Sequence, residues 1–375
     1  MSGNTLNDII KNTIEEIELL DFPPDSEFFK DGSLAFDDVT IVPSYLTAVS
    51  SRKDVDVLTS ITDIHGNEFR MFPVMGASMS FMGETVAREL AEAGGIHILP
   101  RVEWFSKQRV KVAKTLNQDG IPFGMAIGAR ERMSLIDQIF GRALRFLSID
   151  VAHGASAATA AMLKALYHAG FTDGVIVGNV GSPSGALFIE KVAEKLGYNS
   201  IIIKVGVGPG AACTTRVKTG VGVGQYSAVR AVYEAISTYG GKGITTYIIS
   251  DGGVEKPADF VKALAAGADA VMMGKYLTSP DFDGEITMEN GQKYFTYYGM
   301  ASTKAKHGAS DYVEGDIIKV PVNFKNTGEA VRTLEYGLRS AMTYVNAKKV
   351  SDIRRATVIS NSYASVIEGQ VRGEQ

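Results

Sequence analysis

The chain has a single cysteine in 375 residues. That excludes an intramolecular disulfide and a zinc cluster built on cysteines, and it fits a reducing compartment. The five histidines are scattered, with no HExxH-type metal spacing. Charge of either sign is nearly balanced, at net -4. That leaves no electrostatic footprint for a nucleic acid or a membrane surface. Long hydrophobic runs are missing too, and none approaches the ~20 apolar residues of a membrane span. The opening MSGNTLNDIIKNTIEEIELL sets apolar residues at helical spacing among acids. It reads as an amphipathic helix, without the unbroken apolar core of a signal peptide. The expectation is a cytoplasmic protein with no nucleic-acid or membrane partner.

What is present is a repeating alternation. Residues 1–34 read as an extension: a helix, then the turn-rich FPPDSEFFKDGS. From Ala35 onward, short apolar runs alternate with amphipathic helical stretches. The runs are PVMGAS (73–78), GIHILP (95–100), FGMAIGA (123–129), RFLSIDVAH (145–153), GVIVGNVG (174–181), SIIIKVGVG (200–208), TYIISDGG (246–253) and AVMMGKYL (270–277). Continuously apolar strands separated by amphipathic helices mean a parallel sheet covered by helices. Eight units predict a (β/α)8 barrel over residues 70–345, so residues 35–375 read as one catalytic domain. A doubly wound open sheet is the alternative, but no GxGxxG opens the first unit.

Asn290-Gly291 between strand formers predicts a type I′ hairpin interrupting the last barrel unit. The polar GMASTKAKHGASDYVEGD (299–316) reads as a loop or flap, and residues 327–347 as a closing helix.

Several strands end in Gly, Asp, Asn or His, where a barrel builds its active site. The cysteine, Cys213, sits in one of these places, in VGVGPGAACTTRVKTG (205–220). A thiolate is a strong nucleophile in an electropositive, partly exposed setting, and Arg216 and Lys218 are close in sequence. Glycines let the backbone approach a ligand and aim carbonyls inward, as a monovalent cation needs. SDGG (250–253) and Gly274-Lys275 end the last two predicted strands, where barrels often bind phosphate. Asp251 suits sugar hydroxyls, with a helix N-cap as the alternative. Lys275 suits a phosphate, with a solvated lysine or a pair with Asp281 as the alternative.

The cysteine loop resembles the signature of the IMP dehydrogenase/GMP reductase family. So do FDDVTIVPSY (36–45), IDVAHG (149–154), GNV (178–180), SDGGVEKPADFVKALAAGADAVMMG (250–274) and YYGMAS (297–302), in the family's order. The resemblance implies a (β/α)8 barrel, usually tetrameric, that acts on a purine mononucleotide. Cys213 is implied to attack C2 of the purine, with Thr215 in proton transfer. It further implies a nicotinamide cofactor, NADPH or NAD, facing Asp150 and Ser156. Met79 and Met300 would line the purine and Glu314 its edge. Gly252, Gly253, Gly274 and Tyr297 would hold the phosphate together with Lys275, and Asp251 the ribose. Gly208, Gly210 and Cys213 would offer carbonyls to a potassium-like ion.

GIHILP and FGMAIGA lie too close together for the regulatory domain usual in dehydrogenases, so the chain resembles the reductase branch. That branch implies NADPH-dependent deamination of GMP to IMP. A dehydrogenase without its regulatory domain, converting IMP to XMP with NAD, is one alternative. A catalytically weak purine-nucleotide-binding paralogue is another. The flap has Asp311-Tyr312 where dehydrogenases carry Arg-Tyr. Reductases carry a glutamate where this chain has Thr303. Ala211 replaces the usual serine of the cysteine loop, Lys275 a small residue, and Ser80 an aspartate.

Overall fold

The computed structural model describes residues 5–19, 22–101, 106–299, 302 and 315–369. Eight parallel strands close into a barrel: β1 (Val74–Gly76), β2 (Ile96–Leu99), β3 (Phe123–Ile127), β4 (Leu144–Asp150), β5 (Val175–Val180), β6 (Ser200–Val205), β7 (Thr245–Asp251) and β8 (Ala270–Met273). Each pairs with its successor, and β8 closes on β1 with Met272 beside Met75. The eight predicted strands all form, in the predicted (β/α)8 order.

Burial on both faces explains their unbroken apolar character. Every residue of β2, β3, β6 and β8 is buried. Along β6, Ile202 points into the barrel, where it joins Met75, Ile98, Phe146, Ile176 and Ile249. Its neighbours Ile201 and Ile203 belong to the layer between strands and helices. This period of two fills the barrel with side chains, so it is a packed core. Ile61 and Met71 join the inner cluster from an antiparallel pair, Thr59–Thr62 with Glu68–Met71. Arg145, at the start of β4, donates to Asp63 at 2.7 Å. The pair therefore covers the amino-terminal end of the barrel and leaves the carboxyl end for chemistry.

The α-helices of the described residues are α1 (Leu6–Leu19), α2 (Glu84–Glu92), α3 (Ser106–Asp119), α4 (Met133–Ile139), α5 (Ala157–His168), α6 (Pro183–Leu196), α7 (Thr215–Thr219), α8 (Gln225–Tyr239), α9 (Pro257–Ala266), α10 (Thr327–Tyr344) and α11 (Tyr363–Glu368). The sequence sets their ends. In α6, Ser182 caps the first turn by accepting from Gly185 N at 3.2 Å, Pro183 follows, and Gly197 stops the helix at φ 97°. Helix α1 buries Ile9 and Thr13, and its Glu16 pairs with Lys195 of α6 at 2.6 Å. The amphipathic face read from the sequence is thus used against this chain's own outer helices.

The hairpin forms as expected from β9 (Ile286–Glu289) and β10 (Gln292–Tyr298). Asn290 and Gly291 take φ 49° and 80°, both positive as a type I′ turn requires. A third strand, β11 (Ile317–Pro321), adds to β10, which the sequence reading did not anticipate. Of the flap segment, Gly299, Ser302, Gly315 and Asp316 are among the described residues. Among the described residues, no helix is long and apolar enough to cross a membrane.

Candidate active site

Strands β4 to β7 present a buried ionic network at their carboxyl ends. Lys204, 2% exposed, donates to Asp150 at 2.7 Å, to Asn179 at 2.6 Å and to Asp251 at 3.2 Å. Asn179 in turn donates to Asp251 at 2.7 Å and to the Gly206 carbonyl at 2.7 Å. Ser78, just beyond β1, donates to the second oxygen of Asp150 at 2.8 Å. Burial works against charge on both Lys204 and Asp150, and mutual attraction overrides it. The lysine is held above its ordinary pKa by Asp150 and Asp251. Asp150 is held below its own, chiefly by Lys204. With one cation and two carboxylates, the network carries a net negative charge.

Sequence reasoning placed Asp150 and Asp251 in the site but missed the residue that joins them. Lys204 had a signal: it is the one charged residue in the apolar run SIIIKV, and a fully buried lysine needs partners. Asn179 stood in the GNV motif with no role given to it.

The cysteine loop leaves β6 beside this network. Cys213 is partly buried, and its Sγ donates to Thr215 Oγ1 at 3.3 Å. The loop is pinned on both sides of the thiol. Cys213 N donates to the Gly210 carbonyl at 2.9 Å, and Asp316 N to the Ala212 carbonyl at 2.8 Å. Cys213 also bridges to Gly315 at the end of the flap. The buried Thr214 hydroxyl finds no partner among the described residues. The predicted nucleophile and proton-transfer residue are therefore neighbours on a braced loop.

A small cleft lies next to the loop. It gathers Gly210, Ala211, Gly252, Gly253, Gly274, Lys275 and Tyr297. Five of these are predicted phosphate residues. Gly252 and Gly253 have φ 85° and 79°, left-handed values that glycine takes without strain. A Cβ on Gly274 would lie 2.4 Å from the Tyr297 hydroxyl, so that glycine is needed for close approach. Burial and the charge of Asp251 raise the pKa of Tyr297, while a backbone hydrogen bond at Lys275 opposes them. The phenol stays a neutral donor. Lys275 lines the cleft and pairs with Glu255 at 2.6 Å. Asp281 instead accepts from Thr327 N at 2.6 Å.

Met79 stands near Gly274, at 3.6 Å from the position of an added Cβ. Ser80 donates to the Tyr298 hydroxyl at 3.2 Å. Ser156 caps α5, accepting from Thr159 N at 3.3 Å. Gly208 and Gly210 lie in the loop before Cys213, and the Gly210 carbonyl keeps a second lone pair beside its bond to Cys213 N. Met300 and Glu314, expected at the purine, lie outside the described residues, as do Thr303, Asp311 and Tyr312.

Residues 33–372 match the IMP dehydrogenase / GMP reductase domain. The chain belongs to the IMP dehydrogenase/GMP reductase family. GMP reductases of Salmonella newport, Salmonella heidelberg and Salmonella typhimurium are each 34% identical to it over 344 residues, covering 88% of this chain and 94% of theirs. Membership makes the protein an oxidoreductase acting on purine nucleotides with a nicotinamide cofactor. The residues present fit such a cofactor. A cleft of about 740 Å³ opens at Val151, the residue after Asp150. That volume is within the usual range for small-molecule sites, ~300–1,000 Å³.

Proposed function

We propose that this member of the family is a GMP reductase, converting GMP to IMP and ammonia with NADPH. The observation that carries the reading is the Cys213–Thr215 contact at 3.3 Å, next to the glycine-lined cleft and the Asp251 network. GMP is held by its phosphate in that cleft, on Gly252, Gly253, Gly274, Lys275 and Tyr297, and by its ribose on Asp251. Met79 and Met300 flank the purine and Glu314 meets its edge.

Cys213 sulfur, having passed its proton toward Thr215, forms a bond to C2. The C2–N bond to the exocyclic amine then breaks, and the amine leaves as ammonia with a proton supplied through Thr215. A reduced nicotinamide held at Asp150 and Ser156 would supply the hydride that this carbon takes up. The C–S bond breaks with its electrons returning to sulfur, and IMP departs. Asp150 and Ser156 are the residues assigned to the nicotinamide. A carboxylate in a net-negative network favours a ring that becomes positive as it is oxidised. Carbonyls of Gly208, Gly210 and Cys213 would hold a potassium-like ion and stiffen the loop.

We assign residues 1–34 as an extension of a single-barrel domain, in a cytoplasmic homotetramer. Light scattering at micromolar concentration tests the assembly, and a monomer would contradict it. Turnover in both directions tests the chemistry. The reduced-cofactor absorbance should fall with GMP plus NADPH. A rise with IMP plus NAD, and no fall with GMP, would replace this reading with the dehydrogenase. Nucleotide binding without either change would replace it with the inactive paralogue.

A further inference from the structure

The cleft beside Asp150 is far more positive than the chain as a whole. Among the described residues its walls include Arg101, Arg109, Arg130 and Arg132 and one acid, Glu131, in a protein of net charge -4. Arg109 is fixed in place at 6% exposure. Its guanidinium donates to the carbonyls of Arg101 at 3.0 Å and Ala126 at 2.8 Å, and its Nε has no partner among the described residues. Glu131 lies 3.6 Å from Arg109 and is the acid that answers it. Arg101, Arg130 and Arg132 form no ion pair with any described acid, and all three are exposed. Free guanidinium groups around one cavity are suited to phosphate, which they meet with paired hydrogen bonds.

Val151, the residue after Asp150, lines the cleft on the side of the barrel mouth, and the Arg101 guanidinium lies beside Gly128, 3.7 Å from the position of an added Cβ, where the loop after β3 begins. Arg130 and Arg132 lie on the loop that follows β3. Given the proposed placement of the nicotinamide at Asp150, on which this step rests, the rest of the dinucleotide runs along the cleft toward that loop. NADH and NADPH share a pyrophosphate and differ only in the phosphate on the adenosine ribose. In doubly wound dinucleotide folds a carboxylate meets the ribose hydroxyl of NADH and an arginine the 2′-phosphate of NADPH, and the same charge logic applies to any site. Here the nearby carboxylate, Glu131, faces Arg109.

We infer that Arg130 and Arg132 bind the 2′-phosphate of the cofactor and set its preference for NADPH over NADH. The test is calorimetric binding of NADP+ and NAD+ to the full chain with GMP saturating, a mixture in which no turnover occurs. Wild type should bind NADP+ about tenfold or more tighter than NAD+, as expected for charge-assisted hydrogen bonds. The double variant Arg130→Ala/Arg132→Ala should lose that advantage while its NAD+ affinity stays close to wild type, which also shows that it folds. Arg130→Lys/Arg132→Lys should keep part of the advantage, because the charge survives and the paired geometry does not. A double alanine variant that still prefers NADP+, or that loses both dinucleotides equally, would overturn the inference. So would a wild type that binds neither. If NADP+ binds through these arginines but GMP and NADPH give no turnover, the inference stands and the reductase reading falls.

Discussion

The Cys213 thiol donates to the Thr215 hydroxyl across 3.3 Å, on a loop braced from both sides by backbone hydrogen bonds. A hydroxyl in that position can relay the thiol proton, accepting it as it gives up its own toward the departing amine. Thr215→Val keeps the shape and removes the oxygen. It should lower kcat by about 10²–10⁴, the usual worth of a positioned acid or base. Its nucleotide affinity should be kept. Steady-state kinetics with parallel calorimetry separates the two effects, and an unchanged kcat would remove Thr215 from the proton path.

Lys275 shares its cleft with Glu255, which holds it at 2.6 Å. An entering phosphate dianion competes with that carboxylate for the ammonium group. Lys275→Ala should raise the KM for the nucleotide about tenfold, in keeping with a hydrogen bond to a charged group. The effect on the corresponding nucleoside should be smaller. Glu255→Gln should shift the nucleotide KM the other way. A KM unmoved in the lysine variant would make the ion pair a surface contact only.

The barrel was legible because each strand is buried on both faces and each helix on one, so both periods survive in the sequence. The hairpin was legible because Asn290-Gly291 has few alternatives to a type I′ turn. Strand β11 was not, because Ile317–Pro321 is a short run whose partner, β10, lies some twenty residues earlier. Within the site, Cys213 and the glycine turns stood out through residue type and spacing. Lys204 carried only half a signal, as the one charge in SIIIKV, because its role depends on Asp150, Asn179 and Asp251 arriving from three other strands. Local pattern carries no record of such a meeting. The arginine cleft was hidden for the same reason, since Arg101 and Arg109 follow β2 while Arg130 and Arg132 follow β3.

Lys204 makes a stability prediction. Lys204→Met would leave the half-buried Asp150 and Asp251 without their cation. Breaking a buried pair in this way costs about 3–5 kcal/mol, so the urea midpoint should fall sharply. The pair also sets a pH window. The lowered pKa of Asp150 gives stability that is present above the ordinary aspartate value of 3.8 and lost on acidification through the lowered one. The raised pKa of Lys204 gives stability that is present below 10.5 and lost on alkalisation through the raised one. A midpoint unaffected by Lys204→Met would contradict the role of the network.

Glu190 on α6 acts in the opposite sense. Burial pushes its pKa up from 4.5 to about 7, against a hydrogen bond from Gly241 N at 2.7 Å. Between those values the folded chain keeps a proton that the unfolded chain has released, so this group lowers stability as pH rises. Glu190→Gln should therefore stabilise the protein at pH 8, on the order of 2 kcal/mol for a shift of that size. It should change little at pH 4.5. Thermal melts of both proteins at the two pH values check the sign, and a destabilised variant at pH 8 would contradict it.

In the proposed reaction one sulfur, that of Cys213, carries the covalent step of GMP reduction. Its most direct test is the absorbance of reduced cofactor when GMP and NADPH are mixed with wild type and with Cys213→Ala, alongside GMP binding to both. Wild type should lose absorbance in step with the IMP and ammonia formed. The variant should show no turnover, with GMP still bound. Substantial turnover by the alanine variant, or none by the wild type, would contradict the proposed reaction.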